Sequence, residues 1–192
     1  PIRGDETHTD EQWTPKGPPS MRWVWQPPER VQTSFPALNV SSPLPGVYVI
    51  DAGQELSGWV RIRVFGAAGS RVRIRFSEAL EDPGWRYGGT VNRANLGGAA
   101  AEDSYTLRGS TPDAPEVWQP SFTYHSFRYV QIEGWPSGAP DQDSVSLVSV
   151  RTDLQRRGSG AVGGGPRAAS LAPLWRAVAW TQANALHGIV AS

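Results

Sequence analysis

Between Ala79 and Glu102 the sequence loses its apolar periodicity and carries Trp85, Arg86, Tyr87, Asn92, Arg93 and Asn95. Flat aromatic faces beside amide and guanidinium groups suit a ligand that is apolar on one side and hydroxylated at its edges, as a sugar ring is. A loop of this length without regular structure is uncommon in a compact domain and is often functional. These six side chains are therefore the candidate carbohydrate-binding residues. The competing reading is that the loop packs against its own domain or a neighbouring one.

A second constellation follows from strand parity. Val72, Ile74 and Phe76 alternate with Arg71, Arg73 and Arg75, and Glu78 continues the apolar parity. In the aromatic-rich run from Glu116 to Ile132, Arg128 shares its parity with Val130 and Ile132, so an unbulged strand would turn it toward the same apolar side. Opposite charges in such a place are expected to pair, which gives Glu78 and Arg128 as a structural ion pair. Asp51, Glu102 and Asp103 are scattered and offer no acid–base couple, so no catalytic residue is assigned. Three His are too dispersed for a metal-site signature. Glu81, Asp82 and Asp103 are conceivable ligands for a structural Ca²⁺, but their spacing is not diagnostic and no cofactor is assigned.

The elements that must position these residues read as strands. Val47–Ile50 is one, Asp51–Gln54 a turn, and Gly58–Val64 another, in which Val60, Ile62 and Val64 alternate with Arg61 and Arg63. With Val72–Phe76 this pattern predicts two neighbouring strands of a hairpin with their arginines toward solvent. Asp103–Arg108, the aromatic run and Ser144–Thr152 add three more. The fold class expected is all-β, an antiparallel β-sandwich of jelly-roll or concanavalin-like type, with a C-terminal helix.

Around the sandwich, assigned to residues 31–152, residues 1–30 read as a Pro-rich connector with one short strand at Met21–Gln26. From Val31 to Pro45 the only strand signal is Ala37–Val40. Residues 153–169 read as a Gly-rich linker. Residues 170–192 carry a helix capped by Ser170, with Leu171, Leu174, Trp175 and Val178 on one stripe, ended by Gly188. Such a stripe must pack on the sandwich or on a further domain.

Composition narrows the partners. Lys plus Arg and Asp plus Glu both number 18 in 192 residues, so no net field favours nucleic acid or an anionic membrane. No apolar run approaches the roughly 20 residues needed to cross a bilayer, and Pro-Ile-Arg-Gly-Asp does not open a signal peptide. A soluble protein is expected, its compartment undetermined, because the absence of Cys removes the redox clue. The nine Trp serve either sugar stacking or a sandwich core.

Several stretches resemble one family in order. Gly-Val-Tyr-Val-Ile-Asp-Ala-Gly-Gln-Glu-Leu-Ser-Gly-Trp-Val-Arg (46–61), Arg-Phe-Ser-Glu-Ala-Leu (75–80), Asp-Ser-Tyr-Thr-Leu-Arg-Gly (103–109) and Gln-Pro-Ser-Phe-Thr-Tyr-His-Ser-Phe-Arg-Tyr-Val (119–130) are similar to landmarks of the concanavalin-like β-sandwich domain of bacterial α-L-rhamnosidases. Leu-Trp-Arg-Ala-Val-Ala-Trp-Thr-Gln-Ala-Asn-Ala-Leu-His-Gly-Ile (174–189) resembles the first helix of that family's catalytic α/α barrel. The resemblance implies an accessory domain of a glycoside hydrolase, recognising a carbohydrate such as a rhamnose-containing glycan or positioning a catalytic barrel. The alternatives are a free-standing carbohydrate-binding module and a hydrolase fragment active on α-L-rhamnosides. The family's catalytic carboxylates would follow the helix and do not occur in these residues. Inverting hydrolysis needs two carboxyl groups about 6.5–9.5 Å apart, so the chain alone is expected to be inactive.

Overall fold

The computed structural model describes residues 27–37, 39–84, 86, 88–154, 157–158 and 166–190, with side chains for all of these except 166–170 and 189–190. The expected strand at Met21–Gln26 lies outside the described residues, as does most of the Gly-rich segment.

Among the described residues ten strands precede the helix: β1 Glu29–Pro36, β2 Asn39–Leu44, β3 Val47–Val64, β4 Arg71–Ser77, β5 Ala79–Leu80, β6 Val91–Asn92, β7 Glu102–Thr106, β8 Glu116–Trp118, β9 His125–Glu133 and β10 Val145–Thr152. Helix α1 spans Pro166–Asn184, and two short strands, β11 Leu186–His187 and β12 Ile189–Val190, follow it. The main sheet is antiparallel, in the order β1-β10-β3-β9-β4-β7, with β2 and β8 also paired to β3. It curls because β3 serves two neighbourhoods. Residues 47–51 lie between β2 and β9, whereas residues 58–64 pair with β10 and β8.

Alternation builds the core as expected of an all-β sandwich. Val60, Ile62 and Val64 of β3, Val72, Ile74 and Phe76 of β4, and Phe127, Val130 and Ile132 of β9 are all fully buried in one apolar cluster. The intervening arginines stay on the wetter face. Packing is close where β3 meets β10: a Cβ added at Gly58 would lie 1.8 Å from the Val148 carbonyl oxygen.

The structure departs from the sequence reading at several places, and the aromatic run 116–132, read as one strand, is divided into β8 and β9. β3 and β4 do not pair, because β9 lies between them; alternation tells which face a residue takes, not which strand is its neighbour. Asp51–Gln54 is not a hairpin turn but a bulge within one continuous β3. Residues 52–55 stand opposite the single residue Arg128, between the pairs Asp51↔Tyr129 and Leu56↔Phe127. Gly53 provides the positive φ, +77°, that the bulge contains. Two strands, β1 and β2, occupy the region where only Ala37–Val40 was expected. β1 is a sheet edge and almost wholly exposed, so it has no apolar alternation to read. Finally, α1 begins at Pro166, four residues ahead of Ser170, and Pro is well tolerated at the first helical position; it ends at Asn184, not at Gly188, because the chain turns into β11 at Leu186. Among the described residues no helix is long and apolar enough to cross a membrane.

Candidate functional site

The 81–101 loop is more ordered than its sequence suggests. β5 and β6 form a small hairpin, closed by hydrogen bonds from the Glu81 amide to the Thr90 carbonyl, 2.7 Å, and from the Gly89 amide to the Glu81 carbonyl, 3.1 Å. The buried Val91 amide donates to Gln131 Oε1 of β9 at 3.0 Å, and the Ser77 hydroxyl donates to the Asn92 carbonyl. These bonds tie the loop to the sheet because buried backbone groups must be satisfied.

Much of the loop's polar equipment is thereby committed. Asn92 Oδ1 accepts from the Ala94 amide at 2.8 Å. Arg93 Nη2 donates to the Ala100 carbonyl, and Nη1 lies 3.8 Å from Glu102 Oε2. Glu102 also meets Arg75 at 3.1 Å and Arg73 at 3.5 Å. Arg75 reaches Glu133 at 2.8 Å. Arg86 and Asn95 are exposed. Trp85 and Tyr87 lie outside the described residues. The structure thus uses Asn92 and Arg93 within the loop.

The expected pair Glu78–Arg128 is replaced by another. Arg128 Nε donates to Asp51 Oδ1 at 2.9 Å and Nη2 to Oδ2 at 3.0 Å, while Glu78 is exposed. The bulge is the reason. It breaks the parity of the β3–β9 pairing, so Phe127 and Val130 are both buried although they differ in parity, and Arg128 is only half-buried between them. The two hydrogen bonds from Arg128 hold the Asp51 carboxyl below the ordinary carboxylate range, assisted by the Gly53 amide at 2.8 Å.

The bulge also receives the helix. Trp180 Nε1 and Asn184 Nδ2 both donate to the Glu55 carbonyl, at 2.6 and 3.1 Å, and the Ser57 hydroxyl donates to the Asn184 carbonyl at 2.9 Å. Trp180 and Asn184 are one helical turn apart and therefore share a face. Past the helix, His187 is buried, stacks on Tyr124 with ring centroids 3.9 Å apart, and lies 3.5 Å from Glu29. The Gly188 amide donates to Thr152 Oγ1 at 2.6 Å. The predicted apolar stripe faces elsewhere: Leu171, Leu174, Trp175 and Val178 are 45–58 % exposed. Part of that stripe, with Trp180, Leu186 and Leu154, lines an open cleft of about 840 Å³ between α1 and the end of β10. Sequence reasoning found the stripe but missed Asp51, Glu55, Trp180 and Asn184. The four-residue spacing of Trp180 and Asn184 was a readable signal, whereas a backbone carbonyl leaves none.

Two further polar groups hold the sheet. Glu116 is buried and accepts from Tyr105 Oη at 2.5 Å and from the amides of Arg108 and Gly109, each at 3.1 Å. The Tyr105 hydrogen bond is the largest cause that brings its carboxyl from 4.5 to about 2, and the same bond raises the Tyr105 hydroxyl. His125 stacks on Phe76 at 4.1 Å, and its Nε2 is 3.1 Å from Asp103 Oδ1, without the alignment of a hydrogen bond. Asp51, Glu102 and Asp103, the carboxylates weighed for acid–base chemistry, thus face Arg128, Arg75 and His125. Among the described residues no three His, Asp or Glu side chains gather in a way that could hold a metal. Asp82, one of the conceivable calcium ligands, instead accepts from the Gly84 amide at 2.8 Å.

Known proteins share this architecture. An α-L-rhamnosidase of Streptomyces avermitilis is 45 % identical over 119 residues, which are 62 % of this chain and 11 % of that protein. The crystal structure of the Streptomyces avermitilis α-L-rhamnosidase complexed with L-rhamnose superposes with a TM-score of 0.71 at 36 % identity, covering 86 % of this chain and 15 % of that one. The α-L-rhamnosidase of Dictyoglumus thermophilum gives a TM-score of 0.73 at 30 % identity, covering 86 % and 17 %. The chain therefore spans less than a fifth of the length of these relatives. The model of the bacterial α-L-rhamnosidase concanavalin-like domain matches residues 42–151, from within β2 nearly to the end of β10. With the curled sheet and the ordered sequence landmarks in agreement, the chain belongs to the concanavalin-like domain family of bacterial α-L-rhamnosidases.

Proposed function

We propose that this chain is a non-catalytic sandwich that positions the catalytic α/α barrel of an α-L-rhamnosidase. The observation that carries the reading is the way α1 is held. Its Trp180–Asn184 face is fixed by hydrogen bonds to the bulge of β3, while the stripe of Leu171, Leu174, Trp175 and Val178 is left toward solvent. Trp180 and Asn184 tie α1 to the sandwich, while Leu171, Leu174, Trp175 and Val178 keep about half of their surface exposed and available to further helices. An exposed apolar stripe of this size beside an apolar cleft marks a packing surface. Placement of a catalytic unit to within fractions of an ångström is worth orders of magnitude in rate, which gives a rigid platform its purpose.

Recognition of sugar by the 81–102 loop is the finer alternative. It has less support, because Asn92 and Arg93 are occupied within the loop.

The test is a chimera in which the concanavalin-like domain and first helix of the Streptomyces avermitilis enzyme are replaced by this chain. Retained hydrolysis of an aryl α-L-rhamnoside, lost when Trp180→Ala and Asn184→Ala are combined, is the expected result. Hydrolysis by the pure chain, or indifference of the chimera to that double substitution, would overturn the proposal.

A further inference from the structure

At the end of β10 away from the helix, the end of β3, the turn 110–115 and the loop 134–144 surround a second pocket, of about 170 Å³. Phe65, Pro112 and Trp135 give it apolar walls, and Arg63, Asp141 and Asp143 bring charge to it. Arg63 forms no ion pair with either aspartate, nor with any other acid among the described residues, although all three groups line the same space. Asp141 is fixed in place, since its Oδ1 accepts from the amides of Asp143 and Ser144 at 3.1 and 2.8 Å.

The lining restricts the ligand. A cation would meet the positive charge of Arg63, and no third His, Asp or Glu among the described residues joins the two aspartates. An anion would meet Asp141 and Asp143. A neutral molecule with both donors and acceptors satisfies all three groups, and a lining that is more polar than apolar, with Phe65 and Pro112 as its apolar part, suits a compact polyhydroxylated one. The volume is below the roughly 300 Å³ at which pockets for drug-sized ligands begin, so the occupant is small. We propose that this pocket binds one neutral pyranose, with Arg63, Asp141 and Asp143 as the hydroxyl-binding groups.

Position favours access. Val145, beside the pocket, and Thr152, at the helix end, are seven residues apart on β10, on the order of 20 Å at about 3.3 Å per residue. The proposal does not depend on the positioning role.

The experiment is an NMR titration of the isotopically labelled chain with L-rhamnose, D-galactose and D-glucose, with glycerol as a control. Saturable shifts of the Trp135 indole and the Ser137 and Ser144 amides are expected with at least one pyranose and not with glycerol. Arg63→Gln and Asp143→Asn, both at exposed positions that leave the core intact, should each weaken binding roughly five-fold. Arg61→Gln, on the same strand but outside the pocket, should leave it unchanged. Absence of shifts with every pyranose, equal shifts with glycerol, shifts confined to the 81–102 loop, or binding indifferent to the Arg63 and Asp143 variants would each overturn it.

Discussion

Arg128 grips Asp51 with two hydrogen bonds, 2.9 and 3.0 Å long, across the one place where β3 and β9 fall out of register. The pair closes the base of the bulge whose other shoulder, Glu55, carries the helix. A charge pair is thus used for shape: it fixes where four extra residues leave the ladder, and through them where α1 attaches.

Replacing Asp51 by Asn or Arg128 by Ala should lower the melting temperature. The double variant should lose little more than either single one, because both break the same contact. The side chains are about a third exposed or more, so the loss should be smaller than that of Phe127→Ala. That substitution opens a core cavity and should cost about 3–5 kcal/mol. Denaturant melts of the four proteins check the ranking.

Acid should find Glu116. Its carboxyl is brought to about 2 by Tyr105 and two amides, below its value in the unfolded chain, near 4.5. A lowered folded-state pKa gives stability that is complete above 4.5 and is lost as pH falls from there toward 2. Asp51 and Asp141 are lowered as well and act in the same direction. Melts between pH 2 and 6 should show a steep acid limb in the native protein and a shallower one in Glu116→Gln, which should also be less stable at neutral pH.

Gly58→Ala should prevent stable folding or separate β10 from β3, because its Cβ would lie 1.8 Å from the Val148 carbonyl oxygen and neither backbone can yield cheaply. Gly84→Ala, where the new Cβ would meet only Asp82 Oδ1 at 3.4 Å, should stay within about 0.5 kcal/mol of the parent. Soluble yield and thermal melting separate the two.

The helix attachment can be loosened without harming the core. Trp180→Phe removes the indole donor to Glu55 and keeps a ring in its place; Asn184→Ala removes the second donor. At about 1 kcal/mol for each hydrogen bond, hydrogen exchange in the second half of α1 should quicken about five-fold in either variant. Exchange in β4 and β9 should be unchanged.

The sandwich was readable wherever one face of a strand is dry. Val60, Ile62 and Val64, or Val72, Ile74 and Phe76, announce both strand and core side through their alternation with arginine. What parity could not supply was register. It paired Arg128 with Glu78 because it assumed an uninterrupted ladder, and the bulge at 52–55 gave the arginine to Asp51 instead. The same ignorance of neighbours made β3 and β4 a hairpin and left the exposed edge strand β1 unseen. In the 81–102 loop the residue types were read correctly as polar and aromatic, but their hydrogen bonds to Gln131, Glu102 and the loop's own carbonyls depend on tertiary contacts that local sequence does not encode.

The pairing of β1 with β10 along nearly their whole length joins strands separated by more than a hundred residues. During synthesis β1 leaves the ribosome early and must wait, unpaired, until almost the entire sandwich has followed it, and closing so distant a contact is intrinsically slow. Its exposed, polar sequence suits that interval, since an apolar waiting strand would invite pairing with other chains. Helix α1 is made only after β10, so it emerges onto a sheet already able to close, with the bulge ready to receive Trp180.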